Sequence, residues 1–230
     1  MGLFASGLSL ALLPLVSPLD AAGEDYLLSA HMLQHVLIGD AAIALLVLSV
    51  RGPLVVFLVP APLLRRLARI RPLRSLLRFL LRPAVAFALW AAAMLGWHVP
   101  AAYDAALAHP AVHELEHASF VIAGALAWTQ LVDPAHEGRL TRGERIGFAF
   151  GLLVVGQPVM DALLFSGHAL YGLYAHQSQR LLGLSPLSDQ RLAGAVMLVE
   201  QLLTLGACIA LLLVPLLRER RSRLAAREPA

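Results

Sequence analysis

A chain of 230 residues that is 59% hydrophobic and 14% charged, with a mean hydropathy of +0.73, lies outside the range of soluble domains. Its net charge of +3 comes from arginine clusters between apolar runs, so it implies nothing about nucleic acid. The one cysteine, Cys208, excludes a disulfide framework and any CxxC metal or redox motif.

Apolar runs approach the roughly 20 residues that cross a bilayer core, and none shows the alternation of a membrane barrel strand. The expected fold is all-α, a polytopic transmembrane helical bundle of about six spans. It forms one domain over 1–217, followed by a basic, frayed tail at 218–230. Residues 3–19 are the first run; they lack the basic n-region of a signal peptide and read as a short span. The second span covers 27–50, and Arg51-Gly52-Pro53 interrupts it. An apolar interfacial stretch, Leu54 to Pro60, leads into 61–82, where arginines alternate with leucines at helical spacing. That pattern suits an amphipathic helix lying on anionic headgroups. Further spans are expected at 84–97, 112–132, 146–165 and 192–217.

Alternating crossings put Arg51 to Arg82, the 139–145 loop and the C-terminal tail on one side, leaving only Arg180 and Arg191 opposite. By the positive-inside rule that arginine-rich side is the cytoplasm, and both termini lie there.

This topology sends eight of the nine histidines to the outer face, all but His136. His31 and His35 form an HxxxH pair at the head of the second span. His113 and His117 form another at the head of the fourth, and His98 ends the third. Residues spaced i, i+4 share a helix face, so three helix ends each offer imidazole at one depth. Histidines at a helix end often serve only as interfacial hydrogen-bond partners, but three such elements at one level favour a site. Imidazole is a common metal ligand, and the candidate ligands are His31, His35, His98, His113 and His117. Met94, one turn from His98, and Met32, beside His31, tilt the set toward copper, above all Cu(I), with zinc second. Asp104, Glu116 and Asp189, on the same side, are candidates to orient the imidazoles. Asp40, Asp161 and Glu200 lie within the spans and are expected to face the bundle interior, with Gln157 and Gln201 as candidate partners.

Two other chemistries fit the residues. His113-Glu114-Leu115-Glu116-His117 is a formal HExxH match, as in an intramembrane zinc hydrolase with His168, His176 or Asp189 as a further ligand. Histidines on facing helices also suit a bis-histidine haem electron carrier, although paired HxxxH motifs fit clustered metal ions better.

Four motifs, in order, carry a resemblance. They are Ser29-Ala30-His31-Met32-Leu33-Gln34-His35, Trp97-His98-Val99-Pro100-Ala101-Ala102-Tyr103-Asp104, His113-x-x-Glu116-His117-x-Ser119-Phe120, and Ser188-Asp189-Gln190-Arg191-Leu192-Ala193-Gly194. The chain resembles the CtaG-type cytochrome c oxidase assembly factors, multi-span proteins of the bacterial inner membrane, over nearly its whole length. The resemblance implies a non-enzymatic copper-handling factor in respiratory-chain biogenesis. Its partners would be haem–copper oxidase subunits and a copper-donating chaperone, and its metal site would face the periplasm. Many relatives carry an additional, seventh span. The residues carried over are the five histidines, supported by Asp104, Glu116 and Asp189.

Overall fold

The computed structural model describes residues 2–50 and 61–225. Every regular element among them is helical, so the all-α expectation holds. The expected interfacial stretch Leu54 to Pro60 lies outside the described residues.

Helix α1 is Gly2–Val16 and α2 is Pro18–Asp25. The expected first span, 3–19, runs across the junction between them. Ser17 caps α2 with its side chain and Pro18 takes the first helical turn, so the chain bends by 55° there. Helix α3 is Leu28–Val36; it passes through a π-helical turn, Leu37–Ala41, into α4, Ala42–Ser49. Together they form a 22-residue rod, about 33 Å long, enough for a bilayer core of about 30 Å.

Helices α5 (Ala61–Arg69) and α6 (Arg71–Leu80) bury no residue among those described. Between them they expose Leu63, Leu67, Ile70, Leu76, Leu77 and Phe79. Helix α6 meets α7, Pro83–Trp97, at 73°. A short helix absent from the sequence reading, α8 (Pro100–Ala108), separates α7 from α9 (Pro110–Val132). Helix α10 is Arg142–Phe165, and the loop after it holds a short helix, α11 (Gly172–His176), and a 3-10 turn, Leu181–Gly183. Helix α12 (Pro186–Gln201) continues through a second π-helical turn, Leu202–Gly206, into α13 (Ala207–Ala225). The C-terminal tail thus begins as helix rather than as frayed chain.

Among the described residues, three rods are long and apolar enough to cross a membrane: Leu28–Ser49, Arg142–Phe165 and Pro186–Arg218. Counting each bent pair, α1 with α2 and α6 with α7, as a span raises the number to 5. Helix α9 has the length but less apolarity, because its first turns carry His113, Glu114, Glu116 and His117.

The α3–α4 rod is the centre of the bundle. It packs against α1 and α2 on one side, α9 on another and α12 on a third. In lipid no bulk hydrophobic force pulls helices together, so close contact and polar links must do it. Of the glycines, the one in tightest contact is Gly124 of α9. A Cβ there would stand 2.1 Å from the Gly39 carbonyl oxygen in the π turn, far inside any tolerable distance. Only glycine lets α9 lie against α3, and this contact brings the two histidine pairs level. Polar links finish the arrangement. Asp189 of α12 accepts from the Leu28 and Ser29 amides, at 2.7 and 3.1 Å, and from the Ser29 hydroxyl at 2.5 Å. Helix α3 has no side-chain cap of its own, so Asp189 supplies one from a distant helix. Gln34 donates to Asp20 at 2.6 Å and to the Pro14 carbonyl at 3.3 Å, which ties α1 and α2 to α3.

Candidate metal centre

His31 and His35 lie one turn apart on α3, and His113 and His117 one turn apart on α9. The Gly39–Gly124 approach puts the two faces together. One ring nitrogen from each of the four histidines falls within 4.8 Å of the other three. His31 Nε2 is 2.8 Å from His35 Nε2 and 3.2 Å from His113 Nε2. His31 is fully buried, His35 and His113 are nearly so, and His117 is half-buried.

The outer contacts of these rings set their tautomers. Tyr174 donates its only hydroxyl proton to the Gly23 carbonyl at 2.5 Å. Its oxygen therefore accepts from His31 Nδ1, 2.8 Å away, which leaves the lone pair of a neutral His31 on Nε2. Glu24 lies 3.1 Å from His113 Nδ1, and a carboxylate holds the proton on that nitrogen, so the His113 lone pair is also on Nε2. Gly23 makes the first link sterically feasible, since a Cβ there would stand 2.9 Å from the His31 Cα. Two lone pairs 3.2 Å apart repel each other unless a cation sits between them. Ligands at about 2.0–2.1 Å in tetrahedral geometry stand about 3.3 Å from one another. The His31–His113 separation is close to that value, and the His31–His35 separation is a few tenths of an ångström shorter. Two separations are thus close to those a single ion requires, and the four nitrogens, all within 4.8 Å of one another, could hold one.

Access is from a groove of about 520 Å³ between α1, α2, α4 and α9, which His113 and His117 line together with Asp20, Glu24 and Glu114. Three acidic residues at an otherwise apolar mouth favour entry of a cation.

The other expected residues fall elsewhere. His98 is buried at the end of α7 but does not belong to the four-histidine group; its Nδ1 bonds the Met94 carbonyl at 2.6 Å. Met32 and Met94 line a separate small cavity on the inner side of His35. Glu116 is fully buried, with one oxygen 3.9 Å from His35 Nδ1, beyond hydrogen-bond reach but adjacent to the cluster. Asp104 accepts from the Gly172 amide at 3.3 Å and so holds the loop that carries α11. Asp189 holds α3 rather than an imidazole. Glu24 and Tyr174, absent from the sequence reading, are the two residues in contact with the outer nitrogens. Glu24 is on α2 and Tyr174 on α11, two short helices that the sequence reading does not give.

Asp40 accepts from Thr204 at 2.9 Å and from the Trp128 indole, not from a glutamine. Asp161 is a correction. It is exposed on α10 rather than facing the interior, and it accepts from Gln157 at 2.9 Å on the same helix. An i, i+4 partner on its own surface satisfies the carboxylate without burial.

The model of the cytochrome c oxidase caa3 assembly factor family (Caa3_CtaG) matches residues 1–219. The chain belongs to that family. No curated protein and no solved structure matches it. A member of this family takes part in assembling cytochrome c oxidase, and the buried histidine cluster is the feature of this member that calls for a chemical role.

Proposed function

We propose that this assembly factor binds copper at His31, His35, His113 and His117 and passes it to the haem–copper oxidase under construction. The convergence of four imidazoles, two of which turn their lone pairs toward each other, carries this reading. An all-imidazole set suits copper and zinc alike, and the copper content of the oxidase favours copper. Four protein ligands fill a tetrahedral ion, whereas a catalytic zinc keeps one position open for water. The hydrolase reading is further weakened by Glu114, the glutamate of the HExxH match, which is exposed. Imidazoles crowded nitrogen on nitrogen leave no room for a macrocycle, which argues against haem. The role is therefore non-enzymatic: capture, holding and release.

The site opens to the periplasmic side of the bacterial inner membrane, where a copper-donating chaperone and the oxidase subunits meet it. The arginine distribution supports this orientation. Arg139 donates to the Leu81 carbonyl at 2.5 Å, so the basic loop after α9 and the basic helices before α7 gather at one end of the bundle. His113 stands at the opposite end of α9, about 28 Å away along the helix.

The test is copper content of the purified protein. Wild type should retain copper, and the His31→Ala/His35→Ala double variant should lose it from the four-histidine site. Unchanged metal content in that variant sinks the site. Zinc occupancy with Glu114-dependent hydrolysis would replace it with the hydrolase.

A further inference from the structure

Four of the chain's five methionines, Met32, Met94, Met160 and Met197, meet in one buried cluster; the fifth is Met1. Elsewhere the core is filled by leucine, isoleucine, valine, alanine and aromatic residues, so apolar packing alone gives no reason to gather every internal methionine at one place. Met32, Met94 and Met197 line a cavity of about 50 Å³ together with His35 and His98.

His98 is the second, independent observation. Its Nδ1 lies 2.6 Å from the Met94 carbonyl oxygen. A carbonyl only accepts, so Nδ1 carries the proton and Nε2 carries the lone pair. That Nε2 is buried and has no hydrogen-bond partner. A buried acceptor without a donor costs free energy, and here it belongs to a ring on the wall of a cavity lined by thioethers. Three methionine sulfurs with one imidazole form a soft donor set, which selects Cu(I) over zinc, magnesium or Cu(II).

We infer that this cavity is a second, inner metal site, binding Cu(I) through His98 Nε2 and the sulfurs of Met32, Met94 and Met197. It is separate from the four-histidine centre but shares the His35 wall with it. His35 Nε2 faces His31, while its Nδ1 is buried and without a partner. One ring thus adjoins both sites, and Cu(I) can pass between them by exchange of ligands, with no change in oxidation state. The inference takes only the identity of the cargo from the copper reading above; its ligands are different residues.

The full-length protein in detergent, titrated with Cu(I) under reducing conditions and examined by X-ray absorption, tests it. Wild type should show sulfur scattering. His113→Ala/His117→Ala should keep that sulfur signal while losing the outer ion. Met94→Leu/Met197→Leu, which conserves volume, should lose the sulfur signal and the inner ion while the four-histidine ion remains. Selenomethionine-labelled wild type gives the same answer without mutation, as copper–selenium scattering. Nitrogen-only coordination of all bound Cu(I), or an unchanged sulfur signal in the methionine variant, overturns the inner site and leaves the outer one standing. Loss of the outer ion's binding in wild type, with sulfur scattering retained, would do the reverse.

Discussion

The α3–α4 rod carries two polar clusters about 13 Å apart along its axis, and they differ in how their atoms are satisfied. Around Asp40, acceptors meet donors: the carboxylate takes the Trp128 indole N–H and the Thr204 hydroxyl, and Thr204 also bonds the Glu200 carbonyl at 3.0 Å. Around His31, the acceptor nitrogens of His31 and His113 meet each other, with the protons of both rings turned outward to Tyr174 and Glu24. The first cluster links helices through these donors, with the Glu200 carboxyl set beside Asp40 and its Oε1 buried without a partner. The second is arranged to receive a positive centre. Among buried polar groups it is this mismatch, more than burial itself, that separates a binding site from a structural contact.

Three substitutions sharpen or break that contrast. Gly124→Val should have the largest effect, because its Cβ meets the Gly39 carbonyl between the two clusters. It should cost the upper end of the roughly 1–3 kcal/mol typical of overpacking and abolish metal binding as well. A melting curve in detergent with parallel metal analysis reads both, and retained binding would show that the clusters do not depend on this contact. Asp40→Ala strands the Trp128 N–H and should cost about 1–3 kcal/mol, while metal content stays unchanged. Lost metal binding in that folded variant would mean that the inner carboxylate serves the site and not only the bundle. Glu24→Gln should have the smallest effect, weakening metal affinity about tenfold through loss of the His113 partner with no change in melting temperature. An unchanged affinity would remove Glu24 from the site.

Most of the helices, and the common depth of the histidines, were legible in the sequence. Apolar run length and arginine placement are local properties, and i, i+4 spacing fixes which side chains share a helix face. The membership of the site was less legible. His98 stands at the right depth, yet its ring is turned to Met94 by a bond at its own helix end. Asp189 occurs in a motif with the look of a ligand, yet it caps a helix 160 residues away. Neither direction can be read from spacing.

By itself, then, the sequence determined that this is a helical membrane protein with histidine pairs brought to one level, because hydropathy, charge bias and helical periodicity act within single segments. Only the tertiary structure decided which rings touch, which nitrogens carry lone pairs, and that the methionines form a chamber of their own. Those facts depend on contacts between segments far apart in the chain, above all on how closely Gly124 lets α9 approach Gly39.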